Sequence, residues 1–142
     1  MSVTMAVFLK RAYLPETREW AQAIRSSGFD MVLDPEVEVA SASGFWPCTY
    51  AGVNAGFEFS AAPVVRSELG EDVLEELGDR DLMVTFVTHS DMRELMTSNI
   101  AAAVLCSITD GVLWDTEANE LTPASKALVW GKTAEREIQK EL

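Results

Sequence analysis

The stretch Leu82-Met83-Val84-Thr85-Phe86-Val87 is apolar at nearly every position. A strand wetted on one side would alternate apolar and polar residues, so this run predicts a central β-strand covered on both faces. Ser90 follows at once and can cap a long helix in which Met92, Leu95, Met96, Asn99, Ile100, Ala103 and Val104 recur at spacings of three and four. Ala101, Ala102 and Ala103 are small enough to let that helix lie close against a sheet. A buried strand feeding an apolar helix therefore places the chain among folds in which helices pack on a sheet.

Upstream of this unit, residues 4–9 read as a first strand, and Pro15 stands where the start of a helix tolerates it. Trp20, Ala23, Ile24 and Ser27 continue at helical spacing until Gly28. Residues 29–33 form a short apolar run closed by Asp34-Pro35, and Glu36-Val37-Glu38-Val39 alternates as a half-wet strand would. Residues 45–50 and 55–60 are rich in aromatic and β-branched residues; with Gly52 and Asn54 between them they suggest a hairpin, in which Pro47 is best placed at an edge or bulge. Ser67 can cap a helix carrying Leu69, Val73, Leu74 and Leu77, whose other face is acidic.

Downstream, Thr109-Asp110-Gly111 reads as the exit of the long helix, residues 112–114 as a short strand, and residues 115–120 as a polar connection. Thr122-Pro123 then starts a last helix, whose charged tail over residues 133–142 is expected to project or fray. The expected fold is a single α+β domain over residues 1–142, with a mixed or mainly antiparallel sheet and about four helices packed on it.

With 142 residues, 48% of them hydrophobic, the chain can bury one continuous core, so disorder and a disulfide-dependent miniprotein are disfavoured. Acids outnumber bases 23 to 11, a formal charge of −12, which argues against nucleic acid and for a basic partner. The charge is also unevenly placed: both ends are slightly basic, and residues 26–125 carry 18 acids against Arg66, Arg80 and Arg93. Three clusters hold most of that excess, at Asp30, Asp34, Glu36 and Glu38; at residues 68–81; and at Asp110, Asp115, Glu117 and Glu120. A field of this kind steers a cationic partner and raises its association rate by about 10- to 1000-fold.

Chemistry of other kinds has little support. Cys48 and Cys106 lack paired spacing, and no His joins the carboxylate pairs Glu71/Glu75 or Asp72/Glu76, so neither a metal nor a cofactor is expected. The one histidine, His89, lies between the apolar strand and its helix, where an imidazole beside Ser90 or Asp91 can serve as a general base; a turn residue is the simpler reading. No export signal or apolar run of membrane-spanning length is visible, which predicts a cytoplasmic protein that does not engage a membrane.

The stretch AAAVLCSITDGVLWDTEANELTPASKAL at residues 101–128, about a fifth of the chain, joins a small-residue helix, a Thr-Asp-Gly exit, a strand ending Leu113-Trp114-Asp115 and a Thr-Pro-initiated helix. It resembles the C-terminal part of small bacterial α+β proteins, several of them similar to immunity proteins paired with secreted toxins. The resemblance implies a non-enzymatic inhibitor that covers a toxin's active site or substrate entry. On that reading the partner-binding residues are expected among Asp34, Glu36, Glu38, Trp46, Tyr50, Glu71, Asp72, Glu75, Asp115 and Glu117, the two aromatics serving as anchors. A small enzyme using His89 and a ligand-binding or assembly domain remain the alternatives.

Overall fold

The computed structural model describes residues 2–142, and in it seven strands and four α-helices alternate along the chain. In order they are β1 (Val3–Leu9), α1 (Thr17–Ser26), β2 (Met31–Leu33), β3 (Gly44–Tyr50), β4 (Val53–Pro63), α2 (Glu71–Leu77), β5 (Leu82–Thr88), α3 (Met92–Ile108), β6 (Val112–Asp115), β7 (Glu120–Pro123) and α4 (Ala124–Gln139). The strands form one sheet in the order β2-β3-β4-β5-β1-β6-β7, every neighbouring pair antiparallel. The chain is thus a single α+β domain, with the run at residues 82–87 at the middle of the sheet.

Alternation along the strands sorts side chains onto two faces. On the inner face, Met5, Val7 and Leu9 of β1 lie beside Phe86, Val84 and Leu82 of β5, and Phe59 and Phe57 of β4 continue the layer to Trp46 of β3. Trp20 of α1 drops into this layer, edge-on to Trp46 at 5.3 Å and to Phe86 at 6.0 Å, and its indole N–H donates to the Ala101 carbonyl at 3.1 Å. Helix α3 is buried on all sides from Met96 to Cys106, because the sheet lies beneath it and α1 and α4 flank it. The small residues that were expected to bring α3 to the sheet also admit α4: a Cβ on Gly131 would lie 2.7 Å from that of Ala103.

Among the described residues the outer face is covered by α2 and the segment leading into it: Val73 and Leu77 lie on Phe8, with Val64 and Leu69 beside them, next to Met83, Trp114 and Leu121. Coverage of β5 is correspondingly one-sided: Leu82, Val84, Phe86 and Thr88 are buried while Met83, Thr85 and Val87 are half-buried. It is the neighbouring β1 that is enclosed on both faces from Met5 to Leu9.

Several local expectations change. Glu36-Val37-Glu38-Val39 is a loop, despite its alternation, because the Thr17 hydroxyl donates to the Val37 carbonyl at 2.6 Å and accepts from the Val39 N–H at 3.2 Å. Asp34 adds an Asx turn by accepting from the Glu36 N–H at 3.0 Å. The helix expected from Ser67 starts later, at Glu71 with Gly70 as its cap, after a short 3-10 turn at Arg66–Glu68. Asp91, and not Ser90, caps α3, its carboxylate accepting from the Arg93 and Glu94 N–H groups. At the last residue of the segment read as a polar connection an edge strand, β7, begins, and it takes in the Thr122-Pro123 pair expected to start the last helix, which starts instead at Ala124. The tail is docked through Gln139, with Ile138 in the core.

Pro47 sits in β3, between two neighbours, where a missing donor would normally be costly. Its carbonyl accepts from the Asp34 N–H, so its nitrogen also faces β2, at the residue after that strand ends; the Asp34 carbonyl takes the Trp46 indole N–H instead, at 3.3 Å. The turn joining β3 to β4 has two residues, Ala51 and Gly52, both at positive φ (51° and 78°), as a type I′ hairpin requires.

Candidate functional site

The acids of the middle segment divide by location. Helix α2 is two turns long, and burial of Val73 and Leu77 leaves Glu71, Asp72, Glu75 and Glu76 exposed on its opposite side. The β6–β7 turn adjoins it: the Asn119 amide donates to Asp72 at 3.3 Å, while its carbonyl oxygen accepts from the Trp114 indole at 3.2 Å. Glu117 projects from this same turn, which Asp115 shapes by accepting from the Glu117 and Ala118 N–H groups. Glu117 of the third cluster therefore joins the α2 acids in one acidic flank on the outer side of the sheet, whereas Asp115 and Glu120, register partners beside Met5, alternate onto the other face.

The first cluster does not join them. Asp34, Glu36 and Glu38 follow β2 at the opposite edge of the sheet, six strand spacings or about 29 Å from β7. Their loop is tied to the start of α1 by Thr17.

Part of the acid set has local work. Asp79 pairs with Lys10 at 2.8 Å, and that ammonium holds the Asp79 carboxyl below its ordinary range. Asp81 accepts from the Arg11 N–H at 2.7 Å. By contrast, the side chains of Glu36, Glu38, Glu71, Glu75 and Glu117 are exposed and make no hydrogen bond or ion pair among the described residues. Only Asp79 and Glu137 of the 23 acids pair with a lysine there, and Glu58 has only the His89 imidazole at 3.8 Å, so most of the negative field faces solvent unneutralised.

The expected aromatic anchors belong to the core. Trp46 is fully buried and Tyr50 is 6% exposed, so neither can meet a partner without unfolding β3. The Tyr50 hydroxyl donates to Glu135 at 2.9 Å and accepts from Gln139 at 2.9 Å, fastening α4 to the hairpin. Burial, and then the Glu135 carboxylate, raise the Tyr50 phenol above its ordinary value. The large apolar side chains that do emerge from β2, β3 and the β3–β4 hairpin are Val32, Phe45 and Val53. Their signal was present in the alternation Phe45-Trp46-Pro47-Cys48-Thr49-Tyr50, which must turn Phe45 outward once Trp46 turns inward.

His89 stands at the surface, with its Nε2 3.8 Å from a Glu58 oxygen and both side chains more than half exposed. Glu94, near this pair, has its carboxyl raised by burial and by Asp91. Burial pushes the Cys48 thiol up to about 11 and the Cys106 thiol up to about 12, which keeps both protonated and unreactive at neutral pH. Among the described residues no group of three or more His, Cys, Asp or Glu is arranged to hold a metal ion, and no helix is long and apolar enough to cross a membrane.

No family model and no curated protein matches this chain. The functional reading therefore rests on the geometry of the outer face and the acidic flank.

Proposed function

We propose that the chain is a non-enzymatic binding protein of the immunity type, which neutralises a basic toxin domain in the cytoplasm by occluding its active site or substrate entry. The observation that carries this reading is the merged acidic flank: Glu71, Asp72, Glu75 and Glu117 from two separate segments, brought together by the Asp72–Asn119 contact and free of neutralising cations among the described residues. Such a flank attracts a cationic surface over about a Debye length, near 8–10 Å at moderate salt, and orients it before contact. Asp34, Glu36 and Glu38 form a second, weaker pole at the far edge of the sheet.

The test is co-expression and co-purification with the product of the adjacent gene, followed by association kinetics across a salt series. A stable complex whose association slows steeply with salt supports the reading. Absence of a complex at low salt contradicts it.

A further inference from the structure

Among the described residues no helix lies on the outer surface of β2, β3 and β4. Strand register arranges its outward positions in rows: Val32, Thr49 and Asn54; then Pro47 and Gly56; then Phe45, Glu58 and Val87. Phe45 is 55% exposed and Val32 50%, and a shallow groove of about 300 Å³ runs between Val32, Asp34, Pro47 and Thr49. The Phe45 ring rests against Gly56, where a Cβ would collide with it, so the ring is supported on one side and open on the other.

Glu58 is the cross-strand partner of Phe45, which sets their Cβ atoms about 4.5–5.5 Å apart. Among the described residues the one base near that carboxylate is His89, at 3.8 Å, too far for a strong hydrogen bond, so its oxygens remain available. An open aromatic face beside an available carboxylate suits a guanidinium, which is planar, stacks on a ring and donates a bidentate pair of hydrogen bonds to a carboxylate. A point-charge ammonium gains less from the same pair.

We infer that the outer face of β3 and β4, centred on Phe45 and Glu58, is the docking surface for an arginine-bearing segment of the basic protein partner. This rests on the proposed capture of such a partner and names where its cations are anchored. Charge selects the occupant: a second copy would bring another −12 onto this one, and nucleic acid or an anionic membrane would meet Glu58 and Asp34 with like charge.

The test is a ¹⁵N chemical-shift titration of the whole protein with capped hexa-arginine and hexa-lysine peptides. The expected result is saturable shifts at Val32, Phe45 and Glu58, with arginine binding about threefold to tenfold tighter there than lysine. That preference is expected to vanish in Phe45→Leu and in Glu58→Gln, two surface variants, the second of which leaves the ring over Gly56 in place. Equal responses to both peptides at this patch, or a preference retained in both variants, would overturn the inference. Shifts confined to α2 and the β6–β7 turn would also overturn it while leaving the acidic flank as the capture surface. Absence of shifts anywhere would remove both.

Discussion

The two faces of the sheet are built from the same strands and have opposite chemistry. The inner face presents Met5, Val7, Leu9, Phe57, Phe59, Val84 and Phe86 to three helices and is sealed. The outer face is covered for less than its whole width, by a seven-residue helix whose exposed side is acidic, and Phe45 and Val32 stand open beyond it. Packing determines which residues the inner face can accept, whereas on the outer face it constrains only the patch under α2. Substitutions on the two faces should therefore separate into changes of stability and changes of association.

Trp20→Ala should break the inner face most severely. It removes the contacts with Trp46, Phe59 and Phe86 and the bond to the Ala101 carbonyl, and should cost about 3–5 kcal/mol in chemical denaturation. Gly131→Val comes next, since the added atoms would force α4 away from Ala103; overpacking of this kind costs about 1–3 kcal/mol. Tyr50→Phe should cost about 1–2 kcal/mol through the loss of the Glu135 and Gln139 bonds. The phenol's native pKa is raised, so the folded state holds that proton more tightly than the unfolded chain. Its contribution is complete below the unfolded value near 10 and is lost as pH rises through the native one. Thermal melts between pH 8 and 11 should show that alkaline decline in the wild type and a shallower one in the variant.

Thr88→Val should act in the opposite direction. The Thr88 hydroxyl is buried without a hydrogen-bond partner among the described residues, and its replacement should stabilise by about 1 kcal/mol. On the outer flank, Glu75→Lys, Glu76→Lys and Glu117→Lys should each leave the stability within about 0.5 kcal/mol of the wild type, because these side chains are exposed and make no hydrogen bond or ion pair among the described residues. A large loss of stability there would erase the distinction between the faces.

Sequence pattern alone reached the fold class because its strongest signals are those of the inner face. Residues 82–87 and the helical spacing from Met92 to Val104 are core patterns, and core patterns persist whatever covers them. The expected total of seven strands was reached with a compensating exchange. Glu36 to Val39 alternates like a strand but is held as a loop by the Thr17 hydroxyl, twenty residues away in sequence. Glu120 reads as the end of a connection and Thr122-Pro123 as the start of a helix, yet residues 120–123 form the outermost strand, where Pro123 has no further neighbour to donate to. Such distant and edge effects leave little trace in local pattern.

The candidate site was legible in charge and not in anchors. The acids of α2 and of the β6–β7 turn stand exposed, yet their union depends on Asp72 meeting Asn119, a contact between segments 47 residues apart. Trp46 and Tyr50 were the wrong aromatics because the hairpin turns them inward; the same alternation, followed one residue further, exposes Phe45. Asp34 and Asp115 carry charge but also close turns, so their replacement would mix folding with binding.

The central claim is that the acidic flank captures a basic partner while the inner face only maintains the fold. Its most direct test is the association rate constant with the adjacent gene's product at low salt, compared between the wild type and a variant combining Glu75→Lys, Glu76→Lys and Glu117→Lys, which keeps the Asp72–Asn119 contact. The account predicts association at least about tenfold slower in the variant, with unfolding unchanged. An unchanged association rate in a folded variant would contradict it.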